Sequence, residues 1–431
     1  MSRFLFVVPP LVGHINPTVG VAAELVASGH AVAWVCPDPA LVGRLAGPGA
    51  GPVMACAGAP RGERPTELRG PEALKFLWER YLLPLAESMA PGVRAAVEAF
   101  RPDVVVADQQ AFAGALIAER LGLPWATSAT TSAEFTDPLA GLPKVGQWLQ
   151  QRLGALREAV GDPAGTADPR FSPHLVLAFS TPELAGSAHD GVCWVGPSIT
   201  ARPSAAGFPW EWLDAGRTTV LVTLGTANAD VGGRFLDVCR SALRERADRV
   251  QAVIADPGGV LSARDGDKDV LIVPSVPQLS ILERGVGAVV CHAGHNSVCE
   301  ALWHGVPLVV APIRDDQPVV AGQVVDAVAG VRVRFGRVTV QKLASAVDSV
   351  LDDPEYRDGA HRIRTAFRSA GGARAAALHL GDLAVRQVVS AAARDGSAMS
   401  TRAAPTSRDT LAHRESADAA PRRTGTAREF R

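Results

Sequence analysis

The segment between residues 287 and 317 constrains the fold more than any other part of the chain. A short apolar run, Ala288 to Cys291, is followed by small residues, by a helical stretch that begins near Asn296, and by a second apolar run after Pro307. Two short buried strands joined through a helix are the repeating unit of a parallel sheet. At the start of such a helix the backbone N–H groups and the positive end of the helix dipole point at one spot, which favours an anion.

Polar side chains surround this predicted anion site at spacings that suit a nucleotide sugar. His292 and Ser297 can donate hydrogen bonds to a phosphate, and Glu300, about one helical turn after Ser297, can accept bonds from ribose hydroxyls. The stretch from Asp315 to Gln317 follows the second strand and offers acceptors and an amide for a polyhydroxylated ligand. Any one of these residues is equally compatible with a turn, a helix cap or a polar loop. Their joint order and spacing favour a nucleotide-sugar site.

The composition limits the chain to a few classes of protein. A length of 431 residues and a hydrophobic share of 47% suffice for two or three domains with substantial cores. The net charge of −1 gives no electrostatic reason to expect nucleic acid as a partner. The six cysteines form no C-x-x-C pair, and the first apolar run, Phe4 to Val8, is too short for a signal sequence or a membrane span. We therefore expect a cytoplasmic protein without stable membrane insertion.

Apolar runs and helical stretches alternate in two successive series along the chain. The first series begins with Phe4 to Pro9, and the second restarts at Thr219 to Leu224 after a stretch that contains proline and glycine. This pattern predicts an α/β protein with two parallel sheets. The predicted boundaries are an N-terminal α/β domain at 1–200, a linker at 201–215, a C-terminal α/β domain at 216–375, a terminal helix at 376–393 and a disordered tail at 394–431.

Several residues with useful chemistry directly follow predicted strands. His14 lies in the predicted loop after the first strand, before a helix predicted to begin at Pro17, and Asp108 ends the run Val104 to Ala107. The pair Gly225-Thr226 ends the first strand of the second half. Because ligands bind at the carboxyl ends of parallel strands, two facing sheets would bring these positions into one cleft. Helix capping is the structural alternative for both His14 and Asp108.

No motif in the chain indicates a metal, a dinucleotide or a P-loop. The sequence lacks H-E-x-x-H, G-x-G-x-x-G, G-x-S-x-G and G-x-x-x-x-G-K-[ST]. The acidic stretch Asp265 to Asp269 could hold a cation, but it precedes a strand and so falls at the wrong end of the sheet for this cleft. A solvated turn is the better interpretation of that stretch.

Together these positions resemble the GT-B inverting glycosyltransferases of family 1, in particular the bacterial enzymes that glycosylate antibiotics, macrolides, carotenoids and other apolar natural products. The resemblance extends to about residue 392 and is most specific in the C-terminal half. It implies two Rossmann-like α/β domains facing across a cleft, with a C-terminal helix packing back on the N-terminal domain. The motifs that carry it are Gly13-His14-Ile15-Asn16-Pro17, Val105-Val106-Ala107-Asp108, Val222 to Thr226, Val276-Pro277-Gln278, His292 to Ser297 with Glu300, Gly305-Val306-Pro307, Asp316-Gln317 and Gly371 to Ala376.

The resemblance implies a role for each matched position. His14 is the implied general base, and Asp108 is the carboxylate that binds its ring. The backbone at Val276 is implied to pair with the pyrimidine, and Gln278 to lie beside the ribose. The other implied donor contacts are the phosphate-side residues Gly225, Thr226, His292, Gly294, Asn296 and Ser297, the ribose ligand Glu300, and the sugar-hydroxyl ligands Asp316 and Gln317.

Three positions depart from the plant members of the family. Ser275 and His295 stand where plant relatives carry tryptophan, and Val320 stands where they carry asparagine. These departures leave open which base and which sugar the donor carries.

The expected activity is transfer of a hexose or deoxyhexose, with inversion, from a UDP- or dTDP-sugar to a hydroxyl of an apolar small molecule. No metal or other cofactor is expected, and the enzyme is expected to be a monomer or homodimer. A nucleotide-sugar epimerase, a lipid-linked-sugar transferase and an inactive nucleotide-sugar-binding partner on the same fold are the alternatives. The apolar residues between 77 and 83 are either core or the lining of the acceptor pocket.

Overall fold

The computed structural model describes residues 1–60, 65, 68, 70–136, 141–186, 190–200, 207–225, 232–262 and 266–400, with the backbone alone for Pro71 and for 387–400. The predicted phosphate contact Thr226, part of the predicted linker (201–206) and the chain from residue 401 onwards lie outside the described residues. The chain divides into two compact units, Met1–Gln387 and Val388–Arg431. Both predicted α/β halves belong to the first unit.

The N-terminal half forms a parallel sheet with seven strands among the described residues. These strands are β1 (Arg3–Val7), β2 (Ala31–Cys36), β3 (Val53–Ala55), β4 (Val104–Asp108), β5 (Trp125–Ala129), β6 (Val176–Ala178) and β7 (Val192–Trp194). They lie in the order β3-β2-β1-β4-β5-β6-β7. Both faces of the sheet are covered by apolar clusters, which explains why its central strands are apolar throughout rather than alternating.

Helices connect these strands on both faces of the sheet. They are α1 (Val12–Ala27), α2 (Pro39–Ala46), α3 (Gly70–Leu77), α4 (Leu83–Phe100), α5 (Phe112–Arg120), α6 (Pro143–Val160) and α7 (Pro182–Ala185). A π-helical turn at Trp78–Leu82 joins α3 to α4. Trp78 is buried and stacks on Phe112 with ring centroids 5.3 Å apart. Of the two interpretations for this region, Trp78 therefore belongs to the core.

The first helix begins earlier than the sequence predicts. A start at Pro17 follows from the preference of proline for the first helical position, but α1 begins at Val12. His14 consequently lies in the first turn of α1, and the prediction that it lies in a loop is wrong. Because proline has no N–H, Pro17 cannot bond the carbonyl of Gly13 four residues earlier, and that carbonyl is left without its helical donor.

The C-terminal half repeats the architecture with six strands among its described residues. The strands are β8 (Thr218–Thr223), β9 (Val250–Ala255), β10 (Val270–Val273), β11 (Ala288–Cys291), β12 (Leu308–Val310) and β13 (Gly330–Arg332). They are parallel and lie in the order β10-β9-β8-β11-β12-β13. The helices are α8 (Gly233–Arg244), α9 (Gln278–Glu283), α10 (His295–Trp303), α11 (Gln317–Asp326), α12 (Val340–Asp352), α13 (Pro354–Ala370) and α14 (Gly372–Ser400).

The last helix returns to the N-terminal sheet, as predicted. Ala376, Leu380 and Leu383 of α14 are buried in one apolar cluster with Phe4 and Phe6 of β1. The helix begins at Gly372 and ends at Ser400, so the predicted tail boundary at 394 falls inside it. The alanine-rich sequence there has high helix propensity without needing an apolar face.

No helix within the described residues is both long enough and apolar enough to span a membrane.

Candidate active site in the interdomain cleft

The predicted site residues lie where the strand order of each sheet reverses. In the first sheet this point is between β1 and β4, and in the second it is between β8 and β11. Helices that follow two such neighbouring strands leave the sheet in opposite directions, which opens a crevice at the carboxyl ends. Asp108 ends β4, His14 lies in the first turn of the helix that follows β1, and Gly225 and His292 follow β8 and β11. The four residues therefore occupy the two crevices.

His14 and Asp108 form a hydrogen-bonded pair. The Nδ1 atom of His14 lies 2.9 Å from Oδ1 and 3.0 Å from Oδ2 of Asp108. The His14 side chain is 16% exposed, whereas the Asp108 carboxylate is fully buried. A carboxylate can only accept, so Nδ1 carries the proton and the lone pair of Nε2 is available as a base. The structure thus brings together the two predicted catalytic residues.

The carboxylate of Asp108 raises the pKa of His14. Burial acts to lower this pKa, but the charge and hydrogen bond of Asp108 outweigh it, and the charge of Asp316 adds to their effect. The net pKa lies above that of a free histidine. A raised pKa makes the neutral ring a stronger proton acceptor, which suits the predicted role of general base.

Two further donors hold the Asp108 carboxylate in place. The backbone N–H of Gln110 donates to Oδ1 at 2.8 Å, and the hydroxyl of Thr130 donates to Oδ2 at 3.1 Å. The helix cap of α5 is Ala111 rather than the Asp108 side chain. The alternative interpretation of Asp108 as a helix cap therefore fails.

Asn296 connects the two halves next to His14. Its side-chain Nδ2 donates to the carbonyl of Gly13 at 2.9 Å. This is the carbonyl that Pro17 leaves without a helical donor. Asn296 lies in the first turn of α10 and uses one amide N–H across the cleft, and its contact with a phosphate stays a prediction.

The start of α10 offers backbone hydrogen-bond donors beside two glycines. The first intrahelical bond runs from Val298 to the carbonyl of Gly294 at 3.1 Å, so the N–H groups of residues 295–297 are not used inside the helix. Ser297 is half-buried in this first turn. A Cβ at Gly225 (φ 68°) would lie 2.9 Å from the His292 ring, and one at Gly294 would lie 2.3 Å from it. Both positions therefore require glycine.

The imidazole of His292 is neutral at neutral pH. Burial lowers its pKa to about 4, and a hydrogen bond from the ring to the Thr223 backbone offsets this effect only in part. As a neutral ring it supplies one N–H donor rather than a positive charge.

The predicted ribose residues form a buried pair. Nε2 of Gln278 donates to Oε2 of Glu300 at 2.6 Å, and Glu300 is almost fully buried. The carbonyl of Val276 accepts from the N–H of Gln278 at 2.9 Å, which places Val276 directly before α9. The three residues therefore lie together, and their contacts with a nucleoside stay a prediction.

Asp316 and Gln317 begin α11 on the cleft side. Asp316 accepts from the hydroxyl of Thr131, in the other half, at 2.7 Å. Burial raises the pKa of Asp316, and the Thr131 hydrogen bond only partly offsets this effect. Oε1 of Gln317 accepts from the N–H groups of Ile313 and Arg314 at 2.9 and 3.1 Å, so this oxygen orders the loop before α11.

His295, which stands where plant relatives carry tryptophan, and three residues that the sequence did not single out complete the cleft. His295 lies with Nε2 3.2 Å from the carbonyl of Phe179, and burial lowers its pKa to about 4. Thr130 to Ser132, directly after β5, contact both halves. The available signal was a run of three hydroxyl residues at the carboxyl end of a predicted strand.

Two facing α/β halves, each with a parallel sheet, define the GT-B class, and here one half carries a histidine–aspartate pair and the other a helix N-terminus at the cleft. A family model described as UDP-glucoronosyl and UDP-glucosyl transferase matches residues 218–369. The solved structure of the glycotransferase of kitacinnamycin superposes with a TM-score of 0.74 at 25% identity, over 89% of this chain and 98% of that one.

Curated relatives match over nearly the whole chain. The chain is 30% identical over 413 residues to 4'-demethylrebeccamycin synthase of Lentzea aerocolonigenes, covering 85% of this chain and 96% of that protein. It is 30% identical over 403 residues to demethyllactenocin mycarosyltransferase of Streptomyces fradiae, covering 88% and 85%. The chain belongs to the UDP-glucoronosyl and UDP-glucosyl transferase family and is a glycosyltransferase.

Proposed function

We propose that this enzyme moves a hexose or deoxyhexose from a UDP- or dTDP-sugar to a hydroxyl of an apolar secondary metabolite, in one step that inverts the anomeric carbon. The observation that carries the proposal is the pair of His14 and Asp108, 2.9 Å apart, beside the N-terminus of α10 in the other half. A base on one wall and a site for the leaving diphosphate on the other suit an in-line displacement.

His14 is the general base in this reaction. Its Nε2 takes the proton of the acceptor hydroxyl as that oxygen attacks the anomeric carbon. The ring becomes positively charged in this step, and the Asp108 carboxylate stabilises it through Nδ1–H. The C–O bond to the diphosphate breaks from the opposite face.

The leaving diphosphate is stabilised by fixed donors. The unused N–H groups at the start of α10 point along the helix axis, where the helix dipole favours negative charge. The buried, neutral ring of His292 adds one N–H in the tautomer that turns this proton to the diphosphate rather than to the Thr223 backbone. Because these donors already act where the negative charge develops, we propose that no metal ion is needed.

The remaining donor residues recognise the nucleoside and the sugar. The buried carboxylate of Glu300, oriented by Gln278, suits two ribose hydroxyls. Asp316 offers a carboxylate to the sugar hydroxyls, and Gln317 orders the loop that holds it.

The proposed acceptor class follows from the relatives. Two of them are named for 4'-demethylrebeccamycin and demethyllactenocin, and the solved relative is named for kitacinnamycin. We therefore expect a secondary metabolite with an accessible hydroxyl.

A donor–acceptor screen tests the proposal. The purified protein is incubated with UDP- and dTDP-sugars against macrolactones, phenolic polyketides and hydroxylated carotenoids, and products are detected by mass spectrometry. NMR coupling constants then compare the anomeric configuration of donor and product. Retained configuration would refute inversion, and donor consumption without a glycosylated product would favour an epimerase.

A further inference from the structure

Three consecutive hydroxyl side chains after β5 contact different partners in the two halves. Thr130 contacts the pair of His14 and Asp108 in its own half. The next two residues, Thr131 and Ser132, donate hydrogen bonds to side chains of the C-terminal half. This half, proposed to bind the sugar donor, is called the donor half below. One short backbone segment therefore connects the base to the donor half.

Thr130 is bonded to both members of the catalytic pair. Its Oγ1 lies 2.8 Å from Nδ1 of His14 and 3.1 Å from Oδ2 of Asp108. The single hydroxyl proton goes to the carboxylate, which cannot donate, and the hydroxyl oxygen then faces the Nδ1–H. This arrangement selects the tautomer in which Nε2 is free to accept a proton.

Thr131 and Ser132 form hydrogen bonds to the donor half. Thr131 accepts from the N–H of Ala133 at 3.3 Å and donates to Asp316 at 2.7 Å. Ser132 donates to Oε1 of Gln323 at 2.6 Å, and its oxygen lies 3.5 Å from Nδ1 of His295. His295 belongs to α10 and Gln323 to α11, and Asp316 directly precedes α11. Both helices begin at the cleft.

We propose that Thr130 is a positioning residue for the base, and that the run Thr130–Ser132 couples closure of the donor half to alignment of His14. The inference rests on the proposed function, since it assigns His14 the role of base. Because the three residues are consecutive, the bonds of Thr131 and Ser132 to α11 fix where the Thr130 hydroxyl lies. A donor half that is not closed leaves Thr130, and with it the ring of His14, without that support.

Thr130 also influences the pKa of His14. The charged or titratable groups that face His14 are Asp108 from β4, Asp316 from α11 and His295 from α10. Removing the Thr130 hydroxyl takes one hydrogen-bond donor away from the Asp108 carboxylate. More of the negative charge then acts on His14, which favours the protonated ring and raises its pKa. The hydrogen bond from Nδ1–H to Thr130 is present in both the neutral and the charged ring, so losing it destabilises both forms and changes the pKa of His14 little.

The central experiment compares Thr130→Val with Thr130→Ser and with Ser128→Ala. Ser128 is a suitable control, because it lies on β5, two residues before Thr130, and its buried hydroxyl has no hydrogen-bond partner among the described residues. We expect Thr130→Val to lower kcat about 5- to 100-fold, to leave the affinity for the nucleoside diphosphate unchanged, and to move the acid limb of the pH profile to higher pH. Thr130→Ser should restore most of the activity, and Ser128→Ala should be neutral.

The neighbouring variants should have a different signature. Thr131→Val and Ser132→Ala should raise the KM for the sugar donor and lower kcat, and should move the acid limb in the same direction as Thr130→Val but by less, because the Thr130 hydroxyl is retained. An unchanged kcat in Thr130→Val, an equal loss in Ser128→Ala, or a loss of nucleotide affinity in Thr130→Val would overturn the positioning role.

A substrate-free measurement separates this inference from the proposed function. NMR titration of the His14 ring in wild type and Thr130→Val reports its pKa without any donor or acceptor. A raised pKa in the variant supports the coupling of Thr130 to His14 even if no acceptor is glycosylated, and an unchanged pKa overturns it.

Discussion

Replacing Asp108 by asparagine keeps the size of the side chain but changes which protons it holds. In the native pair, Oδ1 accepts from the N–H of Gln110 at 2.8 Å and lies 2.9 Å from Nδ1 of His14. The other oxygen, Oδ2, accepts from Thr130 at 3.1 Å and lies 3.0 Å from the same Nδ1. The Gln110 donor is part of the backbone, so the amide oxygen of asparagine takes the Oδ1 position and its NH2 group faces His14 and Thr130. That NH2 group can only donate, and it selects the ring tautomer whose Nε2 already carries a proton.

The expected loss follows from the wrong tautomer. We expect kcat/KM to fall by about 10²–10⁴, the range for loss of general base catalysis, towards the upper end because the base itself is blocked. The pKa of His14 should also fall, because burial acts to lower it and the charge of Asp108 no longer offsets burial. A lower pKa means that the ring loses its proton at lower pH, so the acid limb of the residual activity should move to lower pH.

The assay is kcat/KM as a function of pH across the range in which histidine titrates, for wild type and Asp108→Asn. Calorimetry with the nucleoside diphosphate and a thermal melt serve as controls for the donor site and for folding. Full activity with an unchanged pH profile would refute the reasoning and reduce Asp108 to a structural residue before α5.

Three further outcomes are expected. His14→Ala should lower turnover by about 10²–10⁴ and leave nucleoside diphosphate affinity within a few-fold, because the donor contacts lie in the other half; near-native turnover at neutral pH would contradict the assignment. His292→Ala should weaken nucleoside diphosphate binding by about 1.5–3 kcal/mol in calorimetry, with and without chelator, and unchanged affinity or a strict need for a divalent cation would show a different phosphate site. Leu380→Ala should lower the free energy of unfolding by about 2–5 kcal/mol in urea, because this fully buried side chain joins α14 to β1; an unchanged midpoint would show that α14 is dispensable for stability.

The sequence by itself determined the two α/β halves and the proximity of His14 and Asp108. The strand predicted at Ala288 to Cys291 is observed with the same bounds, and the helix predicted near Asn296 begins one residue earlier. Short apolar runs separated by helical stretches have one stable arrangement, a parallel sheet covered on both faces. The carboxyl ends of its neighbouring strands meet at one edge, so the proximity of His14 and Asp108 follows from their places after β1 and in β4.

Only the tertiary structure decided which groups meet across the cleft. The missing N–H of Pro17 is visible in the sequence, but the donor that replaces it belongs to Asn296, 283 residues after Gly13. Thr130 reaches His14 because β5 lies beside β4, and Thr131 reaches Asp316 because the two sheets face each other. No pattern in the local sequence predicts these contacts. Local chemistry determines which hydrogen-bonding groups are left available, and the packing of the two halves determines their partners.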